Sequence, residues 1–265
     1  MTLLAIKLLL APAFVVGASL AARHFGPRIG GLIGGLPVVA GPILLVYALD
    51  HGRAFASDAA AGTLLGLVSL TVFVVVYARL ASRLAWAASM LAGWLGFGLA
   101  TLAFSAFSIS AGLALALAGV GLLAGITLLP RPSPQPREHA PPPAWDLPLR
   151  AGCALVLVVT LTAVAGWLGP QLSGLLAPFP IITTVLATFT HAQRGTDELL
   201  RLVRGLIGGF VAFALFCFTL AISLRTLDTA ASFALATGLA LLTQTVTLIL
   251  ARGEPSPPAA VLPEY

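Results

Sequence analysis

The residues of this chain that could hold a small molecule are almost all uncharged. Two short stretches, Gly34-Gly35-Leu36-Pro37 and Ala177-Pro178-Phe179-Pro180, combine small residues with proline, the second is followed by Thr183 and Thr184, and Gln244 lies far downstream. Proline removes a backbone donor and clashes with the preceding turn, so each stretch should interrupt a helix and free amide and carbonyl groups from their usual partners. A half-helix opening at Pro37 or Pro180 would aim unpaired N–H groups and the positive end of its dipole at an anionic or carbonyl-bearing group. The chemistry this pattern offers is reversible binding. Backbone amides near Gly34, Gly35, Pro37, Ala177, Pro178 and Pro180 would contact a solute, Thr183, Thr184 and Gln244 would tune selectivity, and Gly41 and Pro42 would act as hinges.

A packing explanation competes with this one. Small residues four apart let helices approach closely, and Gly30/Gly34, Gly31/Gly35, Gly62/Gly66 and Gly205/Gly209 all have that spacing. A threonine inside a helix can satisfy its hydroxyl on its own backbone. Gln244 has no such escape, and should either bond across helices or line a polar cavity.

Covalent catalysis has no counterpart here. No HExxH, GxSxG, CxxC or P-loop pattern occurs, and no two acids share a helix face. Cys153 and Cys217 fall in different apolar runs without metal-ligand spacing, so they read as small buried side chains. Asp50, Asp58, Asp197 and Glu198 fall at predicted helix ends or loops, and His51 and His191 at interfaces, which leaves no buried carboxylate for proton coupling. The expectation is no enzyme, no catalytic residue, no metal and no cofactor.

The elements that must position these groups are membrane helices. Of the 265 residues, 59% are hydrophobic and 9% charged, and the mean hydropathy is +1.04, outside the range of soluble domains. Nine apolar runs are long enough to cross a bilayer. They cover Thr2 to Ala22, Arg28 to Leu49, Ala59 to Ala78, Leu84 to Phe104, Phe107 to Leu129, Leu149 to Leu168, Gln171 to Thr190, Arg201 to Leu224 and Thr229 to Ala251. Threaded as nine spans, the loops of one face hold Arg23, Arg28, Arg79, Arg83, Arg131, Arg137, Arg150, Arg194, Arg201, Arg204 and Arg252, and the other face only Lys7, Arg53 and Arg225. Because cytoplasmic loops concentrate Lys and Arg, the N-terminus is expected outside and the C-terminus in the cytoplasm. Arg23 and Arg28 oppose a cleaved signal peptide in the first run, and the scattered arginines form no nucleic-acid-binding patch.

A shift of 143 residues aligns Gly26–Arg83 with Gly169–Thr226 without gaps, in the frame GPxxxGLxxxxP. Eleven of 58 positions are identical, and seven of those are Gly or Pro, including Gly52/Gly195, Gly62/Gly205 and Gly66/Gly209. The predicted organisation is a first unit of five helices (1–129), a cytoplasmic proline-rich linker (130–148) expected to be extended and unpacked, a second unit of four helices (149–252) and a disordered cytoplasmic tail (253–265). An odd first unit sends the second in from the opposite side. The fold expected is therefore an all-α integral membrane protein with a 5+4 inverted-topology repeat and broken helices two and seven, as in many secondary transporters. That predicts transport or facilitated diffusion of a small molecule or ion between those helices. A lipid translocase or scramblase, or a non-transporting scaffold or accessory subunit, are the alternatives. The partners implied are the lipid bilayer and the solute, with no nucleic acid; homo-oligomerisation is compatible with these features.

The segment GLLAPFPIITTVLATFTHAQRGTDELLRLVRG, Gly174 to Gly205, resembles the small GlpM-type bacterial inner-membrane proteins in its Gly-Leu, Phe-Pro and Leu-Arg pattern. The resemblance covers about one half-unit and implies a bacterial inner-membrane location and no particular substrate. The first copy lacks the Phe-Pro and Leu-Arg pairs. Thirteen Arg against one Lys, with abundant Ala, fit a GC-rich bacterial genome.

Overall fold

The computed structural model describes residues 2–105, 110–133, 142–160 and 179–252, and every regular element among them is an α-helix. In chain order these are α1 (Thr2–Phe25), α2 (Pro27–Gly34), α3 (Ala40–Asp50), α4 (Arg53–Leu80), α5 (Trp86–Ser105), α6 (Ala111–Leu128), α7 (residues 146–160), α8 (Ile181–Ser223) and α9 (Thr229–Arg252). Five of them, α4, α5, α6, α8 and α9, are long and apolar enough to cross a bilayer. Their exposed faces carry large aliphatic side chains such as Leu95, Leu123 and Leu250, each about two-thirds exposed. Such faces suit lipid and not water, so this is a multi-pass membrane protein.

The second expected span is not one helix. It divides into α2 and α3 across Gly35 to Val39, because Pro37 supplies no backbone donor. The expected loop between the seventh and eighth spans shrinks to one residue: two helical segments of α8, 181–194 and 196–223, meet at Gly195, at φ 79° and ψ −175°. Gly52, between α3 and α4, has nearly the same conformation, φ 89° and ψ 167°. Only glycine adopts this region without strain, which is why one residue can replace a loop at each point. The predicted sixth and seventh spans lie partly outside the described residues, as do Ala177, Pro178 and most of the linker and tail.

Two long helices form the centre. Leu64, Phe73 and Tyr77 of α4 and Leu199, Leu206 and Leu220 of α8 are wholly buried. They run antiparallel: Ser57 Oγ donates to the Ala221 carbonyl at 2.6 Å near one end, and Thr196 Oγ1 to the Ala81 carbonyl at 3.1 Å near the other. Around them α5, α6 and α9 form an outer layer. The short α2 packs backbone to backbone on α8. A Cβ added at Gly31 would collide with the Leu202 carbonyl, and one at Gly205 with the Arg28 carbonyl, while Gly35 lies against Leu206 and Gly209. These glycines are close-packing residues, as their spacing allowed.

Candidate functional site

The break between α2 and α3 and the turn that precedes α8 have the same hydrogen bonds. At the first, Val38 N–H donates to the Leu36 carbonyl at 2.9 Å and Gly41 N–H to the Pro37 carbonyl at 2.8 Å. At the second, Ile181 N–H donates to Phe179 and Thr184 N–H to Pro180, both at 2.8 Å. Each bond in one set lies 143 residues from its counterpart. In both places a tight three-residue turn centred on proline (φ −76°, ψ 56° at Pro180) leads into a helix whose first full bond closes on that proline's carbonyl. Pro37 and Pro180 therefore sit ahead of helices, where a missing N–H costs least. Among the described residues, the amides of Val39, Ala40 and Thr183 have no backbone acceptor.

Both starts open onto one cavity. It has a volume of about 60 Å³, room for a few water molecules, and is lined from the first break by Gly34, Gly35, Pro37, Val39 and Ala40 and from the second by Pro180, Ile182 and Thr183. Leu70 of α4 and the Phe179, Phe210 and Phe213 rings supply much of the remaining wall. Among the described residues, no charged side chain lines it. Thr183 is 3% exposed. Five residues predicted for a site, Gly34, Gly35, Pro37, Pro180 and Thr183, thus come together.

Four others are placed elsewhere. Thr184 accepts a hydrogen bond from Trp94 Nε1 of α5 at 3.0 Å. Trp94 and Phe97 also pack on Phe179, at centroid distances of 5.4 and 5.7 Å, so this contact braces the second break from outside. Gln244 of α9 is buried outside the cavity lining, and its Nε2 donates to the Leu32 carbonyl at 2.9 Å. The break creates that acceptor: Leu36 N–H turns to Ile33 instead, leaving Leu32 without its i+4 donor. Gln244 thus bonds across helices, one of its two expected roles. Gly41 and Pro42 lie inside the first turn of α3, with Gly41 against Phe216, while the irregular backbone precedes them.

No protein-family model matches this chain, nor does any curated protein or solved structure. Its function must be argued from its own geometry.

One charged cluster escaped sequence reasoning. Asp146, fully buried where the linker joins α7, accepts from Arg23 at 2.6 Å, Arg150 at 2.9 Å and Gln193 at 2.6 Å. Burial alone would raise its carboxyl, but these three donors outweigh it and hold the group below the usual carboxylate range. Arg150 also lies over the Phe189 ring at 5.0 Å. The described ends of the linker are accordingly not unpacked: Asp146 anchors one, and Ser133, bonded to Asp197 and Arg201, anchors the other. The signal available was Asp146 four residues before Arg150 at a helix start.

Proposed function

We propose that this protein is a secondary transporter or facilitator for a small solute, bound where the two helix breaks meet. The observation that carries the reading is the matched pair of proline turns facing one cavity. Paired interruptions in corresponding helices, near the middle of the membrane, are how transporter folds build a solute site. Broken backbone is tolerated at that depth only beside protein or a polar cavity.

The inverted repeat belongs to the same proposal. The register that pairs the breaks also pairs α4, Arg53–Leu80, with 196–223, the part of α8 after Gly195, and these two equivalent segments pack antiparallel. Two copies of one unit entering the membrane from opposite sides account for that packing. Charge supports the orientation: Arg79 and Arg204 bond to carbonyls around Leu128 to Pro130 at the linker end, whereas Arg53 and Arg225 gather with Asp58 and Leu227 at the other. By the loop-charge rule the linker end is cytoplasmic. In this reading the protein resides in a bacterial inner membrane and works by rocking one unit against the other.

The test is access of water to the cavity. Single cysteines replace Ala40 and Ile182 in a background lacking Cys153 and Cys217, and a membrane-impermeant thiol reagent is applied to intact cells and to inverted vesicles. Labelling from both sides is expected. Folded protein that labels from neither side would overturn the proposal and leave the breaks as packing devices.

A further inference from the structure

We infer that a second site, separate from the cavity between the proline turns, binds a phosphate group at the linker end of the helices through Arg23, Arg150, Arg194 and the Ser19 hydroxyl. It does not depend on transport through the first cavity. The second cavity, of about 20 Å³, is lined among the described residues by Ser19 and Arg23 of α1, Arg150 of α7 and Thr190 and Arg194 of α8. Ser19 precedes Arg23 by four residues, and Thr190 precedes Arg194 by the same interval, so α1 and α8 each set a hydroxyl and a guanidinium on one face.

Positive charge is in excess there. Asp146 binds Arg23 at 2.6 Å and Arg150 at 2.9 Å, but no carboxylate among the described residues lines the cavity itself. One carboxylate against those two guanidiniums leaves one positive charge, before Arg194 is counted. It also has fewer lone pairs than two guanidiniums have N–H donors. The charges of Arg23 and Arg194 both act on Arg150, which is 6% exposed, so the three converge in a setting where like charges are costly without a counter-charge.

Ser19 supplies the second, independent indication. It is 3% exposed, and its Oγ, shielded from solvent, has no hydrogen-bond partner among the described residues. Hydroxyls buried this deeply are normally bonded. Guanidiniums only donate, so an oxygen that accepts from them and from Ser19 at once is the group the cavity lacks. The volume admits about one oxygen-sized group, and the Arg23 side chain is a quarter exposed, so the rest of a larger anion stays at the mouth. A tetrahedral phosphate meets both conditions, with one oxygen inside and others on the forked guanidiniums, whereas a halide would fill the volume and leave the outer donors unmet. Trp145, more than half exposed beside Asp146, marks headgroup depth, and basic pockets between helices on the cytoplasmic side suit anionic headgroups.

The experiment is native mass spectrometry and thermal unfolding of the purified, delipidated full-length protein with three probes: phosphatidylglycerol, phosphatidylcholine of the same chains, and inorganic phosphate. One retained phosphatidylglycerol per chain and a raised thermal midpoint are expected. Phosphatidylcholine, whose choline brings a further positive charge, should give neither. A midpoint raised by inorganic phosphate and not by phosphatidylglycerol would keep the site and make free phosphate its ligand. Ser19→Ala should weaken the apparent affinity about tenfold, the size of one hydrogen bond to a charged group. Ser19→Asp places a carboxylate among the three arginines, so it should raise the midpoint of the lipid-free protein and abolish the response to either anionic probe. Equal responses in wild type and both variants would assign binding to the general basic surface and overturn the inference. No response in folded wild type would overturn it too, leaving the Ser19 hydroxyl to a buried water. Neither failure touches the transport reading, which is tested at Ala40 and Ile182.

Discussion

The two proline turns share a hydrogen-bond pattern and almost nothing else. The first is held by backbone: glycines 31 and 35 lie directly on α8, and Gln244 closes the carbonyl that the break exposes. The second is held by side chains: Phe179 is wedged against Trp94 and Phe97, and Trp94 bonds to Thr184. The helices that leave them also end differently. α3 ends in an aromatic group of Tyr47, His51 and Phe55, whereas the segment before Gly195 is tied through Gln193 to the buried Asp146. A proline turn followed by a helix is thus a local solution that tolerates quite different surroundings. Each surrounding must do the same job, which is to replace the support that proline removes.

This contrast predicts where each half is fragile. The largest effect is expected at the backbone-packed break. Gly31→Leu or Gly205→Leu would drive a side chain into a carbonyl that has no room to move, separating α2 from α8. Loss of folded protein, measured as the monodisperse fraction in detergent, is the expected result. At the side-chain-packed break the damage should be graded. Phe179→Ala removes a ring from the Trp94/Phe97 contact and should cost about 3 kcal/mol, read as a lowered thermal midpoint, with Phe179→Leu recovering part of it. If Phe179→Ala proved as lethal as Gly31→Leu, the division between backbone and side-chain support would be wrong.

The clamp at Asp146 should come next. Its carboxyl is depressed in the folded protein, so its stabilisation is present above the ordinary value of 3.8 and is lost as pH falls through the lower folded value. Acid below about pH 4 should therefore destabilise wild type more steeply than Asp146→Asn, whose own cost at neutral pH should be about 2 kcal/mol, since it leaves Arg23 and Arg150 without their counter-charge. Thermal midpoints of both proteins across pH 3 to 7 measure this. Parallel curves would remove the clamp from the account.

Much of this was readable from residue types. Pro37 marked the break between α2 and α3 and Pro180 the turn ahead of α8, because only proline deletes a donor, and Gly52 and Gly195 aligned because only glycine adopts their shared conformation freely. The apolar runs and loop charges placed helices in a membrane for equally local reasons. What was not readable depended on partners distant in sequence. Nothing in THAQRGTDELL distinguishes a loop from a helix turning at one glycine, and nothing in Trp145-Asp146-Leu147 announces that Arg23 and Gln193 converge on it. Thr183 and Thr184 look alike in sequence. Successive residues on a helix point about 100° apart, so one faces the cavity and the other Trp94.

The smallest effect concerns Gln244, and it decides whether the first break is truly braced from α9. Gln244 lies where a glutamine is costly to bury, and its Oε1 has no partner among the described residues. If its purpose were only to fill space, Gln244→Leu would be neutral or stabilising, because the unpaired oxygen would disappear. If it compensates for Pro37, the same change strands the Leu32 carbonyl in an apolar setting and should cost about 1 to 2 kcal/mol. A coupling test separates the two: replacing Leu36-Pro37 by Ala-Ala allows a continuous helix in which Leu32 regains its i+4 donor. In that background Gln244→Leu should lose most of its penalty. An undiminished penalty in the thermal midpoint would mean that Gln244 supports α2 by packing, and that the first break depends on its glycines alone.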